Sequence, residues 1–328
     1  MFNFSKLFSL SKKKKGIGIS ISRSSICMAE LFKNESIFLS QTGEIELIPG
    51  CFGENGEIIK PDEIYRALLE LTEITGIQNR QVVTAVHGNM VFIRQFFLPL
   101  MSEKELASAV VWEAESWIPF DLNDVEMDYA VTNIDEENAQ VNVLVAAVSK
   151  SLSWQYYDLF TSCGLELTAI EVEPVAIARL PIMLGEKHDF TFPTALVDLG
   201  DHYTNLVVVS KNEVHLMRTI PMEFEVNNKE DNIVKLSVDA EYEDKLKEVA
   251  FEIERSLKYL QSRSSVFSVN QVLISGIGAD ADAEKVLNGI IDLPVETLRL
   301  GLQEFDGDYF LIPPKFGIAA GLALREVE

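Results

Sequence analysis

Apolar positions along the chain recur with two periods. From Lys14 to Leu31 they run almost unbroken on either side of the polar Ser22-Arg23-Ser24-Ser25, which predicts a strand, a turn and a second strand. Ser36 to Pro49 keeps the β character, and Gly50 to Gly56 is a turn-rich break. The period then lengthens. Pro61 to Thr75 puts Ile64, Leu68 and Leu71 on one face, with Pro61 suited to a first helical turn and Gly76 to the stop. Val82 to Val86 is a continuous apolar run, as in a strand covered on both faces. Ser102 and Glu105 have the spacing of a capping box, and Leu106, Ala109, Val110 and Ala114 follow at helical intervals up to Pro119.

Val125 to Val131 and Val141 to Ala147 read as strands around the polar turn Asp135-Glu136-Glu137-Asn138. Ser151 to Cys163 reads as a helix stopped by Gly164, and Thr168 to Val172 as a strand. From Ala195 the opening pattern returns: a hairpin, then a long helix from Glu243 to Ser262, then a strand from Val272 to Ser275. That helix carries Leu246, Val249, Ala250, Ile253, Leu257 and Leu260 on its apolar side. Hairpin, helix and strand thus occur twice, with an insertion in the first set. This order predicts two α/β halves facing a cleft. The expected division is a leader over 1–13, a first half over 14–193 with a small α/β insertion at about 85–150, and a second half over 194–328.

Composition narrows the partners. The 328 residues are 47% hydrophobic, enough for a large core. A net charge of −23 repels nucleic acid, and the one basic run, Lys12 to Lys15, is too short to reverse that. Cys27, Cys51 and Cys163 show no paired spacing and read as reduced thiols. No stretch approaches the roughly 20 apolar residues that cross a bilayer. Phe4, Leu7 and Phe8 share a helical face ahead of the lysines, which leaves two readings of the leader: a weak membrane-surface foot or a frayed start.

The candidate chemistry lies in the two hairpins, Gly16 to Ser25 and Ala195 to Thr204. Each sets a strand in front of small or hydroxyl residues, a turn in which backbone N–H groups can approach phosphate oxygens. The candidate contacts are Gly18, Ser20, Ser22, Ser24 and Ser25 in the first, and Asp198, Gly200 and Thr204 in the second.

From Val82 onward a collinear set of segments resembles the PilM family of type IV pilus assembly proteins. These are Val82 to Gly88, Leu98 to Leu106, Val111-Trp112-Glu113-Ala114-Glu115-Ser116-Trp117-Ile118-Pro119-Phe120, Leu144 to Ala147, Val172 to Ala176, Ala195 to Gly200, Ser275 to Ala279 and Gly317 to Leu324. The resemblance covers nearly the whole chain. It implies an actin-like, ribonuclease H-like duplicated ATPase fold, shared with the division protein FtsA, with one subdomain replaced by the insertion. It also implies ATP and Mg²⁺ in the cleft. The implied partner is the N-terminal tail of PilN, an inner-membrane protein, alongside other platform or motor proteins. The implied location is cytoplasmic, peripheral to the inner membrane and held there mainly through partners.

Residue by residue, the family's first hairpin places an Asp on Ser20, a Gly on Ser22 and a Lys on Cys27, so three expected groups are missing. Asp198 would hold the Mg²⁺ water shell, and the tip from Gly200 to Thr204 would face phosphate. Asp201-His202-Tyr203 replaces smaller residues there and would tighten the site, and His202 is either a catalytic base or a loop histidine. Glu173 either orients water or metal as the catalytic candidate, or is a structural residue of the crossing segment. Gly276, Gly278 and Ala279 resemble the adenosine turn. Glu252 and Arg255 fit a Glu-x-x-Arg-Ser pattern of nucleoside contacts, or else a surface ion pair.

The alternative is an active phosphotransferase or ATPase of the actin and sugar-kinase superfamily, which needs a general base; Glu173 is the best candidate. A division-type tether calls for a basic amphipathic C-terminal helix, a pattern that Leu324 to Glu328 lacks. Trp112 and Trp117 lie five residues apart and cannot share a helical face. The expectation is that one packs inside while the other flanks a tail-binding groove, with Glu113, Glu115, Asp121 and Asp124 as an acidic rim. The other reading is that both rings fill the insertion's own core.

Overall fold

The structure is a computed structural model. It describes residues 15–34, 36–88, 90–184, 190–210, 213–221, 240–263, 268–303 and 309–327, so the expected leader lies outside it.

The chain opens with three antiparallel strands, β1 (Lys15–Ile21), β2 (Ser25–Lys33) and β3 (Ile37–Glu46). Helix α1 (Pro61–Thr75) and strand β4 (Gln81–Val86) follow, and β4 joins the free edge of β1 in parallel. Ile17, Ile19 and Ile21 of β1 are all buried, which explains its central place. α1 stops at Gly76, whose φ of 60° is the left-handed turn that glycine adopts without strain.

The insertion comprises β5 (Val91–Pro99), α2 (Glu103–Glu115), β6 (Val125–Asp135) and β7 (Gln140–Ser149), with sheet order β5-β7-β6. β5 goes beyond the expected strands. Its apolar residues cluster instead of alternating, and pairing with β7 along its whole length sets its conformation. The capping box of α2 is formed: Ser102 N–H donates to Glu105 Oε2 at 3.0 Å, and Glu105 N–H to Ser102 Oγ at 3.4 Å. Leu106 and Val110 pack with Val141, Val143 and Val145 on one face of the sheet. The alternate residues Leu144, Ala146 and Val148 join the main core on the other.

Helix α3 (Lys150–Ser162), strand β8 (Glu166–Val172) and helices α4 (Glu173–Ala178) and α5 (Leu180–Leu184) lead to the second set. It contains β9 (Thr194–Leu199), β10 (Tyr203–Ser210), β11 (Glu213–Pro221), α6 (Ala240–Arg263), β12 (Gln271–Ser275), α7 (Ala281–Asn288) and β13 (Val295–Thr297). Its strand order is β11-β10-β9-β12-β13, and within the larger sheet the matching run is β3-β2-β1-β4-β8. Each is three antiparallel strands followed by two parallel ones, the repeat of a duplicated ribonuclease H-like, actin-like fold.

The sheets do not divide where the expected boundary at 194 would leave them. After β13 the chain returns to the first sheet. Strands β14 (Leu300–Gln303) and β15 (Tyr309–Ile312) extend that sheet beyond β3, and helix α8 (Gly317–Val327) lies across β1 and β2. The reason is burial. α8 is apolar nearly all round, so it needs cover on more than one side, and it finds this between β1 and α4. Among the described residues no helix is long and apolar enough to cross a membrane.

Candidate functional site

β1 and β9, the first strands of the two repeats, end in hairpin turns that meet across one cleft. Of the residues singled out by sequence, Ser20, Ser22, Ser25, Glu173, Asp198, Gly200 and Gly276 line it. Ser24 bridges to the opposite hairpin: its backbone N–H and its hydroxyl both donate to Asp201 Oδ2, each at 2.8 Å.

The other candidates stand elsewhere. Gly18 faces α8, where a Cβ would lie 2.6 Å from Ala323 N and overlap the Ala319 carbonyl, so its bare backbone serves helix packing. Thr204 is fully buried and its Oγ1 has no partner. The Gly278 carbonyl accepts from Tyr242 at 3.3 Å, and Ala279 N–H closes a turn onto the Gly276 carbonyl. Glu252 accepts from Arg218 at 3.0 Å and from Arg255 at 3.3 Å. The surface ion pair, not a cleft contact, is the geometry seen at 252 and 255.

Two carboxyl groups dominate the floor. Asp198 is buried and accepts from Ser275 Oγ at 2.9 Å; burial pushes its pKa up to about 6 despite that bond. Glu173 opens α4 and accepts from Asn205 Nδ2 at 2.8 Å, while Thr219 Oγ1 donates to Asn205 Oδ1 at 2.8 Å. Burial first, and then the charge of Asp198, push Glu173 up to about 8. Glu173 thus holds its proton more tightly than Asp198 does.

His87 and Lys315, which the sequence reading did not single out, line the cleft together with Cys27. His87 Nε2 lies 3.0 Å from the Ile21 carbonyl, and burial lowers its pKa, so the ring is neutral and donates there. Burial, with the charge of Glu44, pushes the Cys27 thiol up to about 12. Lys315 pairs with Glu44, the cross-strand neighbour of Cys27. The cleft therefore has a lysine beside Cys27, but it arrives with the returning segment before α8. No local pattern marks it, because only the pairing of β2 with β3 and the chain's return bring it there.

Ser22 and Ser25 at the first tip and Gly200 at the second line the cavity where a phosphate chain would lie, and Asp198 fits the water shell of Mg²⁺. The tip donors, however, are engaged within the protein: Ser22 Oγ donates to the Ser25 carbonyl at 3.1 Å, Ser25 N–H to Ser22 Oγ at 3.0 Å and Gly200 N–H to the Tyr203 carbonyl at 3.0 Å. Among the described residues no three His, Cys, Asp or Glu gather to bind a metal directly. Space is the restriction. The cavity is about 50 Å³, room for a few waters, whereas small-molecule pockets usually exceed about 300 Å³.

Comparison with known proteins gives a family. The family described as type IV pilus assembly protein PilM matches residues 18–327. Among solved structures the chain is similar to one described as a PilM-PilN type IV pilus biogenesis complex, with 23% identity and a TM-score of 0.77 over 95% of this chain and 98% of that one. It is also similar to the ethanolamine utilization protein EutJ from Carboxydothermus hydrogenoformans, with 12% identity and a TM-score of 0.54 over 98% and 94% of the two chains. At these identities the solved structures bear on the fold alone.

Proposed function

Because the chain belongs to the PilM family of type IV pilus assembly proteins, we propose that it is a cytoplasmic scaffold at the inner membrane that captures the N-terminal tail of a PilN-like membrane protein. The observation that carries this reading is a family match over 18–327, which includes the insertion. The insertion offers two edge strands, β5 and β6, to which an extended tail can add. Phe97, Val131 and Ile134 are exposed along them, Trp112 is exposed on α2, and Glu115, Asp121 and Asp124 make the neighbourhood acidic. A tail carrying lysine or arginine suits that surface. Other platform or motor proteins are further partners, and membrane contact runs through them.

Mg-ATP is the cleft's ligand in this reading, held as an effector of closure rather than as a substrate. Asp198 would anchor the metal's water shell and the hairpin tips would hold phosphate. Ser20 in place of an acid, and Glu173 engaged by Asn205 at 2.8 Å, support the effector reading over phosphotransfer. The test is titration of the full chain with a synthetic PilN-like N-terminal peptide while amide exchange is followed. Protection is expected within 82–150. Protection confined to 195–327 refutes the docking site.

A further inference from the structure

The first hairpin's anion donors already have an anion. We propose that Asp201 is a built-in occupant of the phosphate position at Ser24, and that this clasp and a bound nucleotide exclude each other. The proposal rests on the reading of the cleft as a nucleotide site.

Both Ser24 donors converge on a single carboxylate oxygen at 2.8 Å, well within hydrogen-bond length. A backbone N–H beside a hydroxyl at a hairpin tip is the donor pair that suits a phosphate oxygen, and a carboxylate oxygen presents the same acceptor. The partners are 177 residues apart, one on each repeat, so the contact ties the two hairpins together as a bridging phosphate would. Asp201 is held for this task. It follows Gly200, whose N–H donates to the Tyr203 carbonyl at 3.0 Å and closes the turn, and it is buried.

The neighbouring cations are also engaged from within. Lys315 is paired with Glu44, and Arg23, the cation of the first hairpin, donates to the carbonyls of Gly53 at 2.7 Å and Glu54 at 3.3 Å. The cavity beside these pairs measures only about 50 Å³. A phosphate chain entering here must displace Asp201 and then tolerate its charge nearby. The clasp thus joins the two hairpins while nucleotide is absent, and a nucleotide takes its place, bridging the same two hairpins through its phosphates.

The test is calorimetric titration of Mg-ATP into the full chain, its Asp201→Ala variant and its Asp201→Asn variant. Amide exchange at Ser24 is read in each without nucleotide. The wild-type Ser24 amide is expected to be protected, and Asp201→Ala to release it. Asp201→Ala is expected to bind Mg-ATP at least about tenfold more tightly than wild type, with Asp201→Asn between them, since it keeps an acceptor but loses the charge. A fast-exchanging Ser24 amide in the wild type overturns the clasp, and this measurement needs no variant. Equal or weaker Mg-ATP binding by a folded Asp201→Ala overturns the exclusion while leaving the nucleotide reading intact. No binding by any of the three proteins overturns the nucleotide reading, and the exclusion with it.

Discussion

Arg325, in α8, donates to the carboxylate of Glu171, in β8, across 154 residues of sequence, and both side chains are buried. Arg179 donates to the same carboxylate at 2.5 and 2.8 Å. Two guanidinium groups on one carboxylate fasten the returning helix to the first sheet. Breaking such a buried group from one side leaves charges without a counter-ion, at a cost of about 3–5 kcal/mol. Glu171→Ala is therefore expected to lose that much stability in urea unfolding, and a loss below about 1 kcal/mol would count against the assignment. Burial alone would raise the pKa of Glu171, but the arginines outweigh it and the net shift is downward from 4.5. Its contribution is complete above that value and is lost as pH falls through the lower folded value.

Glu173 has the opposite sign. Unfolded, it releases its proton near 4.5; folded, near 8. Between those values unfolding releases a proton, so wild-type stability falls as pH rises, by up to about 1.4 kcal/mol per pH unit. Glu173→Gln keeps an acceptor for Asn205 and removes the proton. The variant is expected to gain on the wild type progressively from pH 5 to pH 8, followed by melting temperature in a series of buffers. An advantage independent of pH would show that Glu173 is ionised in the folded protein.

Gly18→Ala is expected to destabilise the protein by at least about 2 kcal/mol with no nucleotide present, because the new methyl meets the backbone of α8. Urea unfolding checks this. A fully stable variant with weakened Mg-ATP binding would return Gly18 to the phosphate site.

Trp112 and Trp117 are expected to separate cleanly. Trp112 is 74% exposed, so Trp112→Ala should change stability by no more than about 0.5 kcal/mol while weakening capture of the tail peptide. Trp117 packs beside both α2 clusters, with the Arg94 guanidinium 5.7 Å from its ring centroid. Trp117→Ala should cost at least about 2 kcal/mol. Thermal melts and peptide titration read the two effects, and undiminished peptide affinity in Trp112→Ala would remove that ring from the docking surface.

The tryptophans part as one of the two sequence readings had them, but the five-residue helical step is not the reason: α2 ends at Glu115, and Trp117 lies beyond it. Both hairpins, the stop of α1 at Gly76, the box at Ser102 and the buried face of α6 were legible in sequence, because each follows from local period or capping. β5 was not legible: its shape comes from a partner strand that lies beyond α2 and β6 in sequence. In the cleft, Asp198 and Gly200 stood out by residue type, and both line it. Lys315 beside Glu44, and Asp201 on Ser24, did not. Both are pairings between segments far apart in the chain, and neither leaves a local mark.

The same remoteness bears on how the protein is made. β1 is the first described element to leave the ribosome, and α8, the helix that covers it, is the last. During synthesis β1 and β2 therefore wait with one apolar face bare, while β9 to β13 gather their own helices and complete a core. The half begun first is finished last, and contacts of such long range close slowly. Until α8 arrives, the sheet that carries the first hairpin keeps that apolar face open to wrong contacts.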